Sequence, residues 1–111
     1  MGGYVPRKGD LVALSFDPQS GHEQRGRRPA LVVSNDLFNK HTGLCIACPI
    51  TNTRRQHPFH VSLPEEAGVT GLVMVEQVKS IDFRARRAKL IGKAPTALLD
   101  EALSILDACI Y

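Results

Sequence analysis

Tryptophan is absent and aromatic residues make up only 5% of the 111-residue chain, so a packed interior has to come from Val, Leu, Ile and Ala. Long hydrophobic runs are also missing. The longest fall far short of the ~20 residues that a membrane-spanning helix requires, and "MGGYVPRKGD" has none of the apolar segment of a secretory signal. These absences predict a cytoplasmic protein with no membrane association. Cysteine is scarce too. Three residues cannot all pair, and a secreted scaffold of this size would normally carry more. Cys45 and Cys48 form a C-x-x-C, but within "GLCIACPIT", which reads as a strand, residues three apart point to opposite faces. Without a second such pair or a histidine at finger spacing, they are expected to be small buried hydrophobes. No metal site and no cofactor is predicted.

Basic residues are missing from the last stretch of the chain. All 14 Lys and Arg lie in residues 1–93, against 8 acids there, while residues 94–111 hold the other 3 acids and no base. The body therefore carries about +6 within a total of +3, a field that favours encounter with polyanions. Hydrophobic residues at 43% and charged residues at 23% are ordinary globular usage, and residues 1–111 are predicted to form one domain with a single core.

Alternating apolar positions mark "GDLVALSF" as a strand, ended by the Asp17-Pro18 turn signal. "PALVVS" is apolar on both faces and belongs deep in a sheet, with Pro29 at its entrance because proline cannot donate to a ladder. "SNDLFNKHTG" offers Ser34 or Asn35 as an N-cap and Gly43 as a stop, hence a short helix. "LCIACPIT", "FHVSL", "GLVMVEQ" running into "VKSIDF", and "RARRAKLIGKA" complete five or six short strands. The tail places Leu99, Ala102, Leu103, Leu106, Cys109 and Ile110 at helical spacing behind Pro95. The expected class is mainly β: a small curled antiparallel sheet or barrel with short helices and a C-terminal α-helix.

Chemistry concentrates in two loops. Twelve residues, Asp17 to Arg28, separate the first two strands, where a hairpin normally uses ~2 to 5. Between Gly21 and Gly26 stand His22, Glu23, Gln24 and Arg25, followed by Arg27 and Arg28. Arg28 abuts Pro29 at the mouth of a strand, where a guanidinium loses little entropy on gripping a phosphate. Thr51 holds the corresponding place at the end of "CIACPIT", just before the polar "NTRRQH". If those two strand ends are neighbours, Arg28 and Thr51 converge on one anion. His22, His57 and His60 are candidates for proton transfer.

In order and spacing, "GDLVALSFDP", "GHEQRGRRPALVVSN", "FNKHTGLCIACPIT" and "VEQVKSIDFRAR" resemble the MazF/PemK family of toxins from toxin–antitoxin systems, over nearly the whole chain from Val5 to the final helix. The resemblance implies a sequence-specific, metal-independent endoribonuclease with the SH3-like barrel shared with the gyrase poison CcdB. Such a protein works as a homodimer on single-stranded RNA, chiefly messenger RNA, and is neutralised by a cognate MazE-like antitoxin. It also implies Arg28 and Thr51 as catalytic residues, products with 2′,3′-cyclic phosphate and 5′-OH ends, and RNA-flanking positions at Glu23 and Gln24. Gln77 and Lys79 fall in the family's Q-V-K-S segment, which supports the site or the dimer. Arg27 departs from the histidine of the family pattern, and Asn52, Arg54 and Arg55 make the second loop distinctive. RNA contacts are thus expected from His22, Glu23, Gln24, Arg25, Arg27, Asn52, Arg54, Arg55, His57, Gln77 and Lys79. Guanidinium groups remain protonated at any physiological pH, which fits Arg28 for charge stabilisation and proton donation and leaves the general base unassigned, with His22 and Glu23 the first candidates to test. The competing expectation on the same fold is a non-enzymatic gyrase poison of the CcdB kind, acting through its C-terminal helix.

Overall fold

The computed structural model describes residues 3–15, 27–53 and 58–111. In them the chain runs β1 (Asp10–Ser15), β2 (Arg27–Val32), α1 (Asp36–Thr42), β3 (Leu44–Thr51), β4 (His60–Ser62), β5 (Leu72–Met74), β6 (Lys79–Asp82), β7 (Lys89–Lys93) and α2 (Thr96–Ile110). The strands pair antiparallel in the order β4-β5-β3-β2-β1-β7. On the edge away from β2, β3 is shared. Its first half, Leu44 to Ala47, pairs with β6, and its end, Ile50 and Thr51, pairs with β5. A strand whose edge is divided between two partners makes the sheet curl, and the barrel expected from the sequence is here a curled sheet that does not close among the described residues.

Alternation in the central strands feeds two cores. Leu11, Leu31, Val33, Cys48 and Ile50 pack on one face with Val61, Val73, Val75 and, from α2, Leu98 and Ala102. Val12, Leu14, Ala30, Val32, Cys45 and Ala47 pack on the other with Ile81 and Phe83. The two C-x-x-C sulfurs thus belong to different cores, as strand geometry requires. Burial pushes the Cys45 thiol up to about 11, and burial, with Glu76 adding repulsion, pushes Cys48 up to about 12.

Helix α1 begins and ends as its sequence signals. The Asn35 side chain accepts from Phe38 N at 2.8 Å, capping the first turn. Gly43, at φ 74, closes the helix by donating to the Asn39 carbonyl, the left-handed stop that glycine permits. Asn39 is fully buried, and its position is secured by satisfied hydrogen bonding. Its amide donates to Pro6 O at 2.7 Å and Ser34 O at 3.2 Å, while the Ser34 hydroxyl donates to its Oδ1 at 2.5 Å.

Three expectations are corrected. Seven strands are present among the described residues, not five or six, because "GLVMVEQ" gives only the three-residue β5 before Val75–Gln77 tightens into a 3-10 turn that redirects the chain into β6. Pro29 lies inside β2 rather than at its entrance. It pairs with Ala13 of β1, but the β2–β3 ladder begins only at Ala30, which leaves the proline where that ladder demands no donor. The apolar stripe of α2 runs through Leu98, Leu99, Ala102, Leu103, Ile105 and Leu106, whereas Cys109 and Ile110 stand exposed: the core covers the stripe only as far as Leu106.

Asp10, unnoticed in the sequence, is the buried carboxylate that ties the N-terminal segment to β1 and β7. It accepts from the Tyr4 hydroxyl, from Arg7 N at 2.9 Å and from Lys93 Nζ at 2.8 Å. Burial alone would raise its pKa, but the bonds from Lys93, Tyr4 and the Arg7 amide outweigh burial and hold it below the usual carboxylate value of 3.8. A depressed folded pKa gives stability that is complete above the unfolded value and is lost as pH falls through the folded one. The wild type should therefore melt at a markedly lower temperature below about pH 4. Asp10→Asn should be less stable at pH 7, by about 1–3 kcal/mol, and its stability should vary less with pH on the acid side. Parallel pH profiles for the two proteins would remove Asp10 from the acid response.

Candidate active site

Strand register decides which loop ends meet. In the β2–β3 ladder Ala30 faces Pro49, Leu31 faces Cys48 and Val32 faces Ala47. Each step back along β2 is one step forward along β3, so just beyond the ladder Arg28 falls level with Thr51. Period two also puts them on one face, since Arg28 follows Ala30 and Val32 while Thr51 follows Ala47 and Pro49. The register thus brings the two strand ends level, with Arg28 in the lining of the neighbouring pocket and Thr51 outside it.

Beside this point lies a pocket of about 210 Å³. Leu14, Ala30, Pro49 and Ile81 form its apolar base, with Ser15, Pro29 and Ser80 at its wall. Arg28, Lys79 and Arg86 bring three cations to it, and no carboxylate lines it among the described residues. Arg28 and Lys79 are exposed and Arg86 is half-buried. An anion about 4 Å from any one of these charges gains on the order of 1 kcal/mol at bulk-water screening and about 4 kcal/mol at the screening typical of a protein surface. Three such charges around an apolar base favour an anion there.

Thr51 is held for a specific polarity. Its hydroxyl oxygen accepts from Thr53 N at 3.1 Å, which leaves the O–H available to donate. Behind it, Gly71 at φ 130 comes so close that an added Cβ would lie 2.6 Å from the Thr51 carbonyl oxygen. Only glycine fits both that conformation and that approach. Asn52 accepts from the Thr70 hydroxyl at 3.2 Å, so the chain after Thr51 is fastened to the entrance of β5.

The other expected residues are placed unevenly. Lys79 reaches the pocket from β6, opposite Ala47. Gln77 is exposed at the end of the 3-10 turn and does not line it. Arg27 directs its guanidinium at protein acceptors: Nη1 donates to Ser15 Oγ at 3.1 Å, and Nη2 to Ala13 O at 3.1 Å and Arg87 O at 2.7 Å. His60 pairs through Nε2 with Glu76 Oε2 at 3.1 Å and stands away from the pocket lining. His22, Glu23, Gln24, Arg25, Arg54, Arg55 and His57 lie outside the described residues. Arg86, which sequence reading passed over, enters the site from the turn 83–87. Its only signal was the density of arginine in "RARRAK".

Compared with known proteins, residues 7–110 match the model of the PemK-like, MazF-like toxin of type II toxin–antitoxin systems. The endoribonuclease toxin ChpB of Escherichia coli is 46% identical over 108 residues, covering 93% of this chain and 92% of that protein. The endoribonuclease toxin MazF of the same species is 45% identical over 89 residues, covering 80% and 79%. Among solved structures, MazF of Deinococcus radiodurans superposes with a TM-score of 0.86 at 46% identity, over 97% of this chain and 98% of that one. A MazE–MazF complex from the same organism gives 0.86 at 41% identity, over 97% of each chain.

Proposed function

The chain belongs to the PemK-like, MazF-like toxin family of type II toxin–antitoxin systems and is an endoribonuclease toxin, and from that premise we propose that it cuts single-stranded RNA, chiefly messenger RNA, at a specific short sequence without a metal. The observation that carries this reading is the meeting of Arg28 and Thr51 at level positions on one sheet face, beside a pocket ringed by cations.

RNA supplies its own nucleophile. The ribose 2′-oxygen attacks the adjacent phosphorus as its proton passes to a base, and the bond to the 5′-oxygen breaks as that oxygen takes up a proton. The products are a 2′,3′-cyclic phosphate and a 5′-OH, and the hydroxide-generating role of a metal is not needed. Negative charge accumulates on the non-bridging oxygens of the phosphorane, where fixed donors contribute most. Arg28 supplies charge and N–H donors there, and the Thr51 hydroxyl donates to one of those oxygens. Lys79 and Arg86 hold the phosphate backbone. His22 and Glu23, on the loop that precedes Arg28 in sequence, are the proposed bases. Unpaired bases expose the edges that a specific nuclease must read; the polar residues Gln24, Arg25, Asn52, Arg54, Arg55, His57 and Gln77 are the proposed readers.

Metal independence and chemistry are tested together. Purified protein is incubated with a long single-stranded RNA in excess EDTA, and cut sites and end groups are mapped. Cuts at one short motif leaving 2′,3′-cyclic phosphates are expected; absence of cutting by folded protein on several unrelated RNAs would sink the proposal. The gyrase-poison alternative draws on the exposed Ile110 and Tyr111, but the apolar stripe of α2 is committed to the core and the cationic pocket has no task in it.

We also infer a cytoplasmic homodimer and a MazE-like antitoxin, since the solved D. radiodurans relative occurs in complex with MazE. An acidic antitoxin segment that folds onto the cationic cleft would exclude RNA from it. Among the described residues no helix is long and apolar enough to cross a membrane.

A further inference from the structure

Arg27 and Arg28 are neighbours in sequence but leave β2 on opposite faces. Arg28 lines the pocket, and Arg27 does not. Directly across from Arg27 in the β1–β2 register is Ser15, and the Arg27 side chain uses it as the first of three acceptors. The guanidinium then reaches Ala13 O and, at the shortest distance of the three, 2.7 Å, the carbonyl of Arg87. A planar fork that bridges a hydroxyl and two carbonyls is a cross-link between β1, β2 and the turn before β7.

That turn is closed internally by Arg86 N donating to Asp82 O and Ala88 N donating to Phe83 O, and Arg27 adds a tie from outside it. Arg87 sits at φ 52, in the left-handed region that non-glycine residues enter at a cost. Its carbonyl is where Arg27 attaches. The residue before it, Arg86, is the pocket's third cation, and its backbone carbonyl accepts from Ser15 N at 2.7 Å. One short element therefore carries the cation, the unfavourable backbone angle and the clamp.

We propose that Arg27 is a positioning residue: by locking the turn 83–87 against β1 it holds Arg86 beside Arg28 over the cleft, and it does not itself contact RNA. The inference rests on the ribonuclease reading of the cleft and refines how the cleft is assembled. It departs from the expectation, natural from the sequence, that every arginine of "RGRRP" meets the substrate.

The test compares wild type, Arg27→Met and Arg27→Lys in three measurements. These are single-turnover cleavage of one RNA, affinity for its uncleavable 2′-deoxy analogue across a salt series, and amide exchange over residues 84–88. In Arg27→Met, cleavage should fall roughly ten- to hundredfold, as expected when a group at the reacting centre is displaced. With Arg86→Ala as a reference, affinity in Arg27→Met should fall no further than in that variant, and adding Arg27→Met to Arg86→Ala should leave the salt slope unchanged, since a second, direct phosphate contact would lower it by a further ~0.7. Exchange over 84–88 should accelerate. Arg27→Lys keeps the charge and loses the fork, so it should restore little of the cleavage. A salt slope reduced further when Arg27→Met is added to Arg86→Ala, or full rescue by Lys, would overturn the proposal in favour of direct RNA contact. Unchanged cleavage would overturn it in favour of a strut irrelevant to the site. Failure of wild type to cleave would defeat the ribonuclease reading itself, whereas the exchange data report on the clamp whatever happens to RNA.

Discussion

Arg28→Ala is expected to lower RNA cleavage by about 10²–10³-fold or more, the loss typical when one preorganised donor to a developing oxyanion is removed, while thermal stability changes by no more than roughly 0.5 kcal/mol. The side chain is exposed at one end of β2, so its removal opens no cavity in the core. Arg28→Lys should recover only a small part of the activity. A point charge replaces the local field but not the two parallel N–H donors that match two phosphate oxygens. Single-turnover rates, with melting curves on the same samples, decide the matter. Cleavage by Arg28→Ala within about threefold of wild type would remove Arg28 from the reaction and leave Thr51, Lys79 and Arg86 to carry it.

Among the described glycines, Gly71 should be the one least tolerant of an added methyl group. An alanine there would place its Cβ 2.6 Å from the Thr51 carbonyl oxygen and 3.0 Å from Ile50 Cγ2, at a φ of 130 that alanine seldom adopts. The close neighbour is backbone, which cannot swing aside as a side chain would. Backbone conformation alone costs about 1–3 kcal/mol, and relief of the clash has to move β3 or β5. Stability should therefore fall by about 2–4 kcal/mol. Whatever folded protein remains should cleave slowly, because Thr51 is the residue displaced. Gly43 supplies the control. It too has a positive φ, 74, but its Cβ would meet nothing within 4 Å, so Gly43→Ala should cost only about 1 kcal/mol and leave cleavage untouched. Equal effects at the two glycines would show that conformation, and not the approach to Thr51, governs Gly71.

Elements governed by neighbouring residues were legible in the sequence. Helix α1 takes the cap and stop that Asn35 and Gly43 announce, β3 covers the whole of "LCIACPIT", and Cys45 and Cys48 diverge because a strand alternates. Less legible were the short β5 and its 3-10 turn, whose apolar run "LVMV" reads equally well as continuous strand. The exposure of Cys109 and Ile110 was hidden for a related reason: helical periodicity shows which residues share a stripe, not how much of the stripe is covered.

The site divides along the same line. Residue chemistry by itself determined that Arg28 and Thr51 stand at strand ends with loops full of polar groups, and the extended match of "GHEQRGRRP" and "VEQVKSI" pointed to the family. Tertiary structure alone decided that the two ends are level on one face, that Lys79 and Arg86 join them from β6 and the turn before β7, and that Arg27 turns away toward Ser15 and Arg87. Local sequence sets the backbone's period and its stops. Which residues of distant strands share an anion is set by pairing register, and register is a property of the folded sheet.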